Sequence, residues 1–261
     1  MNILALESSG ASVGVAAWRG ASDGDQIAAR SLAAWSSSEP RALSREIMRG
    51  IDETLAGAKW NLDDVDALAV GLGPGSWTSL RIGLSTAKTL AQARDWRLIG
   101  VPTLDALAQS AWRRARAQEA NEMEMDDHLP QHFILLALAH CRADEVYGKT
   151  FECRPESLDL LKTETVDSPL ATADAATVES SARKISAPLV LIGDGSDAVA
   201  RVLEARGQAF QVSPLHIEAL AAEIARCGHS LLAAGHDSNA LELQPLYIAP
   251  SAAERNFQSK K

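Results

Sequence analysis

The fold is decided by the stretch Val70-Gly-Leu-Gly-Pro-Gly-Ser-Trp-Thr-Ser-Leu-Arg-Ile-Gly-Leu84. It follows the apolar run Leu68–Val70 and carries three glycines at alternate positions. Glycine adopts positive φ at no steric cost and lets a ligand or another backbone come close. Ser76 or Thr78 then offers an N-cap to a helix that runs to about Arg94. The stretch predicts a strand, a rigid glycine turn and a helix.

A glycine turn that feeds a helix N-terminus exposes backbone N–H groups, which is a common way to bind phosphate. The pattern here lacks the third glycine of a dinucleotide fingerprint, and no Gly-Lys-Ser/Thr follows it. A bound phosphate and a purely structural turn therefore both remain open. Glu7, at the end of the first strand, either faces a metal or is simply solvated. The candidate nucleotide contacts are Glu7, Ser8, Gly73, Gly75 and Ser76.

The helix after the turn has one face with little side-chain bulk, formed by Ser79, Gly83, Ala87 and Ala91 at four-residue spacing. Such a face lets another helix approach closely. Gly83 costs the helix about 1 kcal/mol relative to alanine, so a close contact should offset that cost. Packing within the same domain and contact with another subunit both explain the pattern.

Composition and charge restrict the class of protein. The chain of 261 residues is 46% hydrophobic and 23% charged, as in a soluble globular protein. A net charge of −9 argues against this chain gripping nucleic acid by itself. The three cysteines lack CxxC spacing and indicate reduced thiols in a cytosol. No apolar run is long enough to cross a membrane, and we expect a cytoplasmic protein without membrane contact.

The order of predicted elements repeats. Each half contains a strand hairpin, a further strand, a helix, another strand, a Gly-x-Gly turn and a helix, with Gly71–Gly73 and Gly193–Gly195 in equivalent places. This predicts an α/β protein of the actin-like, ribonuclease H-like type, with two related subdomains, mixed sheets and packed helices. The predicted parts are an N-terminal subdomain (1–107), a C-terminal subdomain (108–213), a helix over about 215–234 that packs back on the first subdomain, and an extended tail (241–261). A strand over 62–70 and a helix over 169–184 are also predicted.

The sequence resembles the bacterial TsaB (YeaZ) family of the actin-like ATPase superfamily. The resemblance is carried by Asn2-Ile-Leu-Ala-Leu-Glu-Ser-Ser9, Gly73-Pro-Gly-Ser-Trp-Thr78, Leu80-Arg-Ile-Gly83 and Glu145-Val-Tyr147. It is clear over about residues 1 to 150 and continues by layout to Pro245-Leu-Tyr-Ile248. Some positions depart from the family pattern: Leu43 or Ser44, Trp77, Ser79, His140-Cys-Arg142 and Ala249.

The resemblance implies a non-catalytic role. A TsaB-like protein pairs with a TsaD-like catalytic subunit and a TsaE-like ATPase to add threonylcarbamoyl to N6 of adenosine 37 in tRNAs that read ANN codons. It meets tRNA only through that complex, forms a homodimer when alone, and has no cofactor of its own, although ATP can lie at the partner interface. The first two helices, about 40–55 and 78–94, would form the contact. The predicted contact residues are Leu43, Ile47, Ile51, Ser79, Leu80, Gly83, Leu84, Ala87 and Ala91.

Enzymatic alternatives find less support in the residues. His128 and His132 have the spacing of two ligands on one helix, but Pro130 between them would break that helix. A broken pair of histidine ligands disfavours a metalloprotease or glycoprotease. No serine lies in a Gly-x-Ser-x-Gly motif, which disfavours a serine hydrolase. An independent ATPase or small-molecule kinase of the same superfamily is the rival hypothesis. It would use Glu7 and Asp194 as carboxylates that face a phosphate-bound metal.

Overall fold

The computed structural model of the protein describes residues 1–10, 12–20, 30–38, 43–119, 128–142, 145–160, 170–171, 174 and 186–248. The helices are α1 (Leu43–Ala58), α2 (Trp77–Arg94), α3 (Thr103–Glu119), α4 (Ser196–Ala205) and α5 (Ile217–Ala233). The strands are β1 (Asn2–Glu7), β2 (Val13–Arg19), β3 (Arg30–Ser37), β4 (Ala67–Gly71), β5 (Arg97–Val101), β6 (Phe133–Arg142), β7 (Glu145–Cys153), β8 (Leu158–Leu160), β9 (Leu170–Ala171), β10 (Leu189–Ile192) and β11 (Gln211–Ser213).

The strands form two sheets with the same plan. The first sheet has the order β3-β2-β1-β4-β5, in which β1, β2 and β3 are antiparallel neighbours and β4 and β5 are parallel to β1. The second has the order β11-β10-β6-β7-β8, with β6, β7 and β8 antiparallel and β10 and β11 parallel to β6. The predicted duplicated α/β architecture of the actin-like type is therefore confirmed.

The first sheet is buried on both faces, which explains why its central strands are almost uniformly apolar. On one face α1 packs over β2 and β3, and α2 packs over β4, β5 and β1, in a cluster that includes Leu4, Leu6 and Ile51. On the other face α5 packs across all five strands. Helix α3 lies against both α5 and the second sheet, so it joins the two halves. The boundaries expected at residues 107 and 213 stay predictions.

Two local predictions differ from the structure, and a third, the extended tail over 241–261, is described only in part. The segment predicted as a strand over 62–70 begins as a single 3₁₀ turn, Leu62–Asp64, because Asn61 caps it, and the strand starts only at Ala67. Most of the helix predicted over 169–184 lies outside the described residues, and Leu170–Ala171 pairs with β7. The described part of the predicted tail, up to residue 248, is docked on the first subdomain: Leu246 N donates to Leu72 O at 2.9 Å.

Candidate functional site

Glu7 lies at the carboxyl end of β1 and is completely buried. Its Oε1 accepts a hydrogen bond from Ser9 N at 2.6 Å, and its Oε2 accepts one from Thr103 Oγ1 at 3.1 Å. Thr103 Oγ1 in turn accepts a bond from Gly73 N at 3.1 Å. The first strand, the glycine turn and the start of α3 are thus joined through one carboxyl group.

The glycines of the turn are required by close approach rather than by a ligand. A Cβ added at Gly71 would overlap Glu7 Oε2, and one added at Gly75 would overlap Ser9 O. Gly73 has φ of +87°, a conformation that other residues rarely adopt. The sequence left open a bound phosphate and a purely structural turn. The close contacts and the positive φ of a structural turn account for all three glycines.

Burial raises the pKa of Glu7 above its ordinary value of 4.5. The hydrogen bonds from Ser9 and Thr103 oppose that shift, whereas the nearby charge of Asp194 adds to it. Asp194 lies in the turn after β10, and its Oδ1 accepts a hydrogen bond from His140 N at 2.7 Å. A Cβ added at Gly10 would lie 2.9 Å from Asp194 Oδ2. The two halves of the molecule therefore meet beside the buried carboxyl group.

The sequence-predicted nucleotide contacts do come together, and they form hydrogen bonds with neighbouring residues of the chain, namely Ser9, Ser79 and Thr103. Ser8 Oγ donates to Ser79 O at 3.1 Å, and Ser76 N donates to Ser9 O at 2.6 Å. Ser76 also caps α2, as predicted, by accepting from Ser79 N. The N–H groups of Ser9, Gly73 and Ser76 therefore all donate hydrogen bonds within the chain.

The carboxyl groups of Glu7 and Asp194 lie close enough for the charge of Asp194 to act on Glu7. A negatively charged ligand beside them would be disfavoured by any negative charge that they carry. Within the described parts of the chain, no three His, Cys, Asp or Glu side chains are grouped so that they could hold a metal ion. The hydrogen bonds around Glu7 hold β1, the turn after β4 and the start of α3 together.

Sequence reasoning missed Thr103 as a residue of this site, and it considered Asp194 as a carboxylate that faces a metal. Thr103 follows parallel strand β5 and Asp194 follows parallel strand β10. Side chains that follow parallel strands gather at the carboxyl edge of a sheet, where sites of α/β proteins lie. That rule, applied to β5 and β10, was the signal available in the sequence.

Most residues of the predicted contact surface are buried in the chain's own core, and their contact with a partner stays a prediction. Ile47 and Ile51 are 1% exposed, and Ala87 is fully buried. The other residues of α2 that are buried are Leu80, Gly83, Leu84 and Ala91. Ser79 is half-buried, and the side chain of Leu43 lies outside the described residues.

The small residues of α2 serve packing within the subdomain. A Cβ added at Gly83 would overlap Ser8 Oγ, so the helix approaches the end of β1 more closely than any other residue type would permit. The outward faces of α1 and α2 consist of different residues. Met48 and Asp52 are exposed on α1, and Ser85 and Thr89 are exposed on α2.

Comparisons with known proteins give a consistent picture. A family model described as "TsaD: tRNA N6-adenosine threonylcarbamoyltransferase" matches residues 38–254. The "tRNA threonylcarbamoyladenosine biosynthesis protein TsaB" of Escherichia coli strain K12 is 37% identical over 114 residues, which are 44% of this chain and 46% of that protein. The protein of the same name from Haemophilus influenzae is 41% identical over 78 residues, 30% of this chain and 33% of that protein.

A solved structure, "YeaZ from Pseudomonas aeruginosa", superposes with a TM-score of 0.68 at 23% identity and covers 94% of this chain and 99% of that chain. At that identity the likeness concerns the fold. The chain spans less than half of the length of these two curated relatives. No helix in the described part of the chain is both long and apolar enough to span a bilayer.

Proposed function

This chain belongs to the TsaD protein family and is a relative of its TsaB (YeaZ) members, and we propose that it is the non-catalytic subunit of a tRNA-modifying complex. That complex adds threonylcarbamoyl to N6 of adenosine 37 in tRNAs that read ANN codons. A TsaD-like subunit carries out the chemistry, and a TsaE-like ATPase assists it. The protein acts in the cytoplasm, contacts tRNA only through the complex, and forms a homodimer in the absence of its partner.

The observation that carries the proposal is the closed state of the site around Glu7. Its carboxyl oxygens accept bonds from Ser9 and Thr103, and the N–H groups of Gly73 and Ser76 donate within the chain. A catalytic phosphate site needs preorganised donors that remain available to the substrate. A turn in which Gly73 N and Ser76 N already donate within the chain favours a supporting role over an independent ATPase or kinase. Any ATP in the complex then binds at the boundary with the partner.

The outward faces of α1 and α2 form the proposed contact surface, which we define as Met48, Asp52, Ser85 and Thr89. Met48 is a large apolar side chain with 45% of its surface exposed. Ser85 and Thr89 are small and one turn apart, so a partner helix could approach α2 closely. The two helices lie side by side on the first sheet and offer a rigid platform.

Genetic complementation tests the proposal. Deleting the gene should abolish threonylcarbamoyl-adenosine in total tRNA, measured by nucleoside mass spectrometry, and the wild-type gene should restore it. The variant Ser85→Trp should fail to restore it, because the indole would hold a partner helix away from α2. Trp substitution of Arg201, exposed on α4 of the other subdomain, is the matched control and should restore it. Unchanged modified nucleoside in the deletion strain would refute the proposal.

A binding measurement distinguishes the proposed supporting role from the rival hypothesis, an independent ATPase or kinase. Calorimetry of this chain alone with ATP and Mg²⁺ should give no binding at micromolar concentrations. Tight binding accompanied by turnover would support an independent ATPase or kinase and contradict the supporting role.

A further inference from the structure

Three side chains from distant parts of the sequence, Trp77, Arg81 and Tyr247, form a cluster on the surface at the start of α2. The rings of Trp77 and Tyr247 stack with centroids 3.9 Å apart and an interplanar angle of 28°. The guanidinium carbon of Arg81 lies 4.6 Å from the Trp77 ring centroid and 5.8 Å from that of Tyr247. Arg81 Nε also donates a hydrogen bond to the Tyr247 hydroxyl at 3.1 Å. We call these three residues the arginine clamp.

The segment that supplies Tyr247 is held firmly on the first subdomain. Ser238 N donates to Leu98 O at 2.9 Å, and Leu246 N donates to Leu72 O at 2.9 Å. Leu243 packs against the core cluster of the first sheet. Since both ends of the segment are bonded to this sheet and turn, Tyr247 has a fixed position from which to orient Arg81.

The clamp fixes one nitrogen of Arg81 and leaves the others available. Its Nε donates to the Tyr247 hydroxyl, while its two terminal nitrogens donate no hydrogen bond within the described parts of the chain. The side chain is exposed. A guanidinium recognises carboxylate or phosphate with two parallel hydrogen bonds, and an arginine already held in place loses less conformational entropy on binding.

We infer that the arginine clamp receives a carboxylate side chain of the protein subunit that binds α1 and α2. This inference rests on the proposed function, which supplies that partner. Arg81 lies one helical turn before Ser85, in the same row as Thr89, so the clamp continues the proposed contact surface. Leu246, 39% exposed, adjoins it along the chain and adds apolar area typical of protein interfaces. The net charge of −9 disfavours the phosphates of RNA as the source of the anion.

Binding of the TsaD-like subunit from the same organism tests the inference, measured by titration calorimetry at 50 and 300 mM NaCl. Arg81→Gln should weaken binding about tenfold or more at the lower salt concentration, because a charge-assisted pair is lost. The loss should shrink at the higher salt concentration. Tyr247→Phe keeps the stacked ring but frees Arg81 Nε, so it should weaken binding by a smaller factor. Arg201→Gln, at an exposed arginine of the other subdomain, is the matched control and should bind as the wild type does.

The melting temperature of each free variant shows whether a loss of affinity comes from unfolding. Arg81→Gln should have the same melting temperature as the wild type. Unchanged affinity of Arg81→Gln, together with loss of binding by Ser85→Trp, would overturn the clamp while leaving the proposed function intact. A wild-type chain that fails to bind the subunit would overturn both. If Arg81→Gln weakened binding of tRNA to this chain but not binding of the subunit, the anion would be a phosphate and the inference would be wrong.

Discussion

Replacing Gly83 with alanine tests whether the small-residue face of α2 is a packing surface. The added Cβ would overlap Ser8 Oγ and lie 3.1 Å from Ser8 Cβ. Ser8 is 1% exposed, and its hydroxyl donates to Ser79 O at 3.1 Å. The hydroxyl must therefore turn away from its acceptor inside the core, at a cost of about 1–3 kcal/mol.

Two further terms set the net effect of this substitution. Alanine in place of Gly83 favours the helix by about 1 kcal/mol. Forcing a methyl group into a packed site costs about 1–3 kcal/mol. We therefore expect Gly83→Ala to lower the free energy of unfolding by about 1–5 kcal/mol, as measured by urea denaturation with an unchanged m-value.

A double-mutant cycle with Ser8→Ala identifies the clash. When the hydroxyl is absent, Gly83→Ala should cost at least about 1 kcal/mol less than it does in the wild type. Ser85→Ala, on the exposed face of the same helix, is the control and should change stability by no more than about 0.5 kcal/mol. The packing argument fails if Gly83→Ala stabilises the chain without coupling to Ser8. It also fails if that variant keeps full stability but loses its partner.

Three other measurements probe the buried groups and the docked C-terminal segment. Burial raises the pKa of Glu7, so the folded state holds that proton more tightly than the unfolded state does. Stability should therefore fall as pH rises above 4.5 until the folded pKa is passed, and Glu7→Gln should flatten that slope in urea titrations from pH 4.5 to 8. Burial raises the pKa of Cys227 to about 12 and also raises that of Cys153, so mass spectrometry should find both unlabelled by a disulfide reagent at pH 8 until urea is added. Leu243→Ala should cost about 1–2 kcal/mol of unfolding free energy, whereas Leu241→Ala, at a side chain 78% exposed, should cost no more than about 0.5 kcal/mol; equal losses would contradict the docked segment.

Local signals predicted the elements around the glycine turn well. The apolar run before the turn forms β4, and α2 begins at Trp77 after the N-cap Ser76 and ends at Arg94. Strand burial, glycine conformation and capping depend on residues within a few positions of each other. Repetition of these signals along the chain was enough to predict two related sheets.

The candidate site depended on residues far apart in sequence. The sequence left Glu7 either solvated or facing a metal, and the structure instead buries it because Thr103 and the glycine turn close over it. The partner of Glu7 is 96 residues away along the chain. The position of Thr103 after a parallel strand places it at this edge of the sheet, but no periodicity or spacing in the sequence records its bond to Glu7.

The sequence by itself determined the order of strands and helices, the place of the glycine turn and the likeness to the TsaB family. Only the tertiary structure decided which face of α2 points inward. A row of small residues permits close approach to any surface, whether a neighbouring subunit or the chain's own sheet. The choice depends on where β1 and Ser8 lie in space, because a helix pattern specifies a face but not what that face meets.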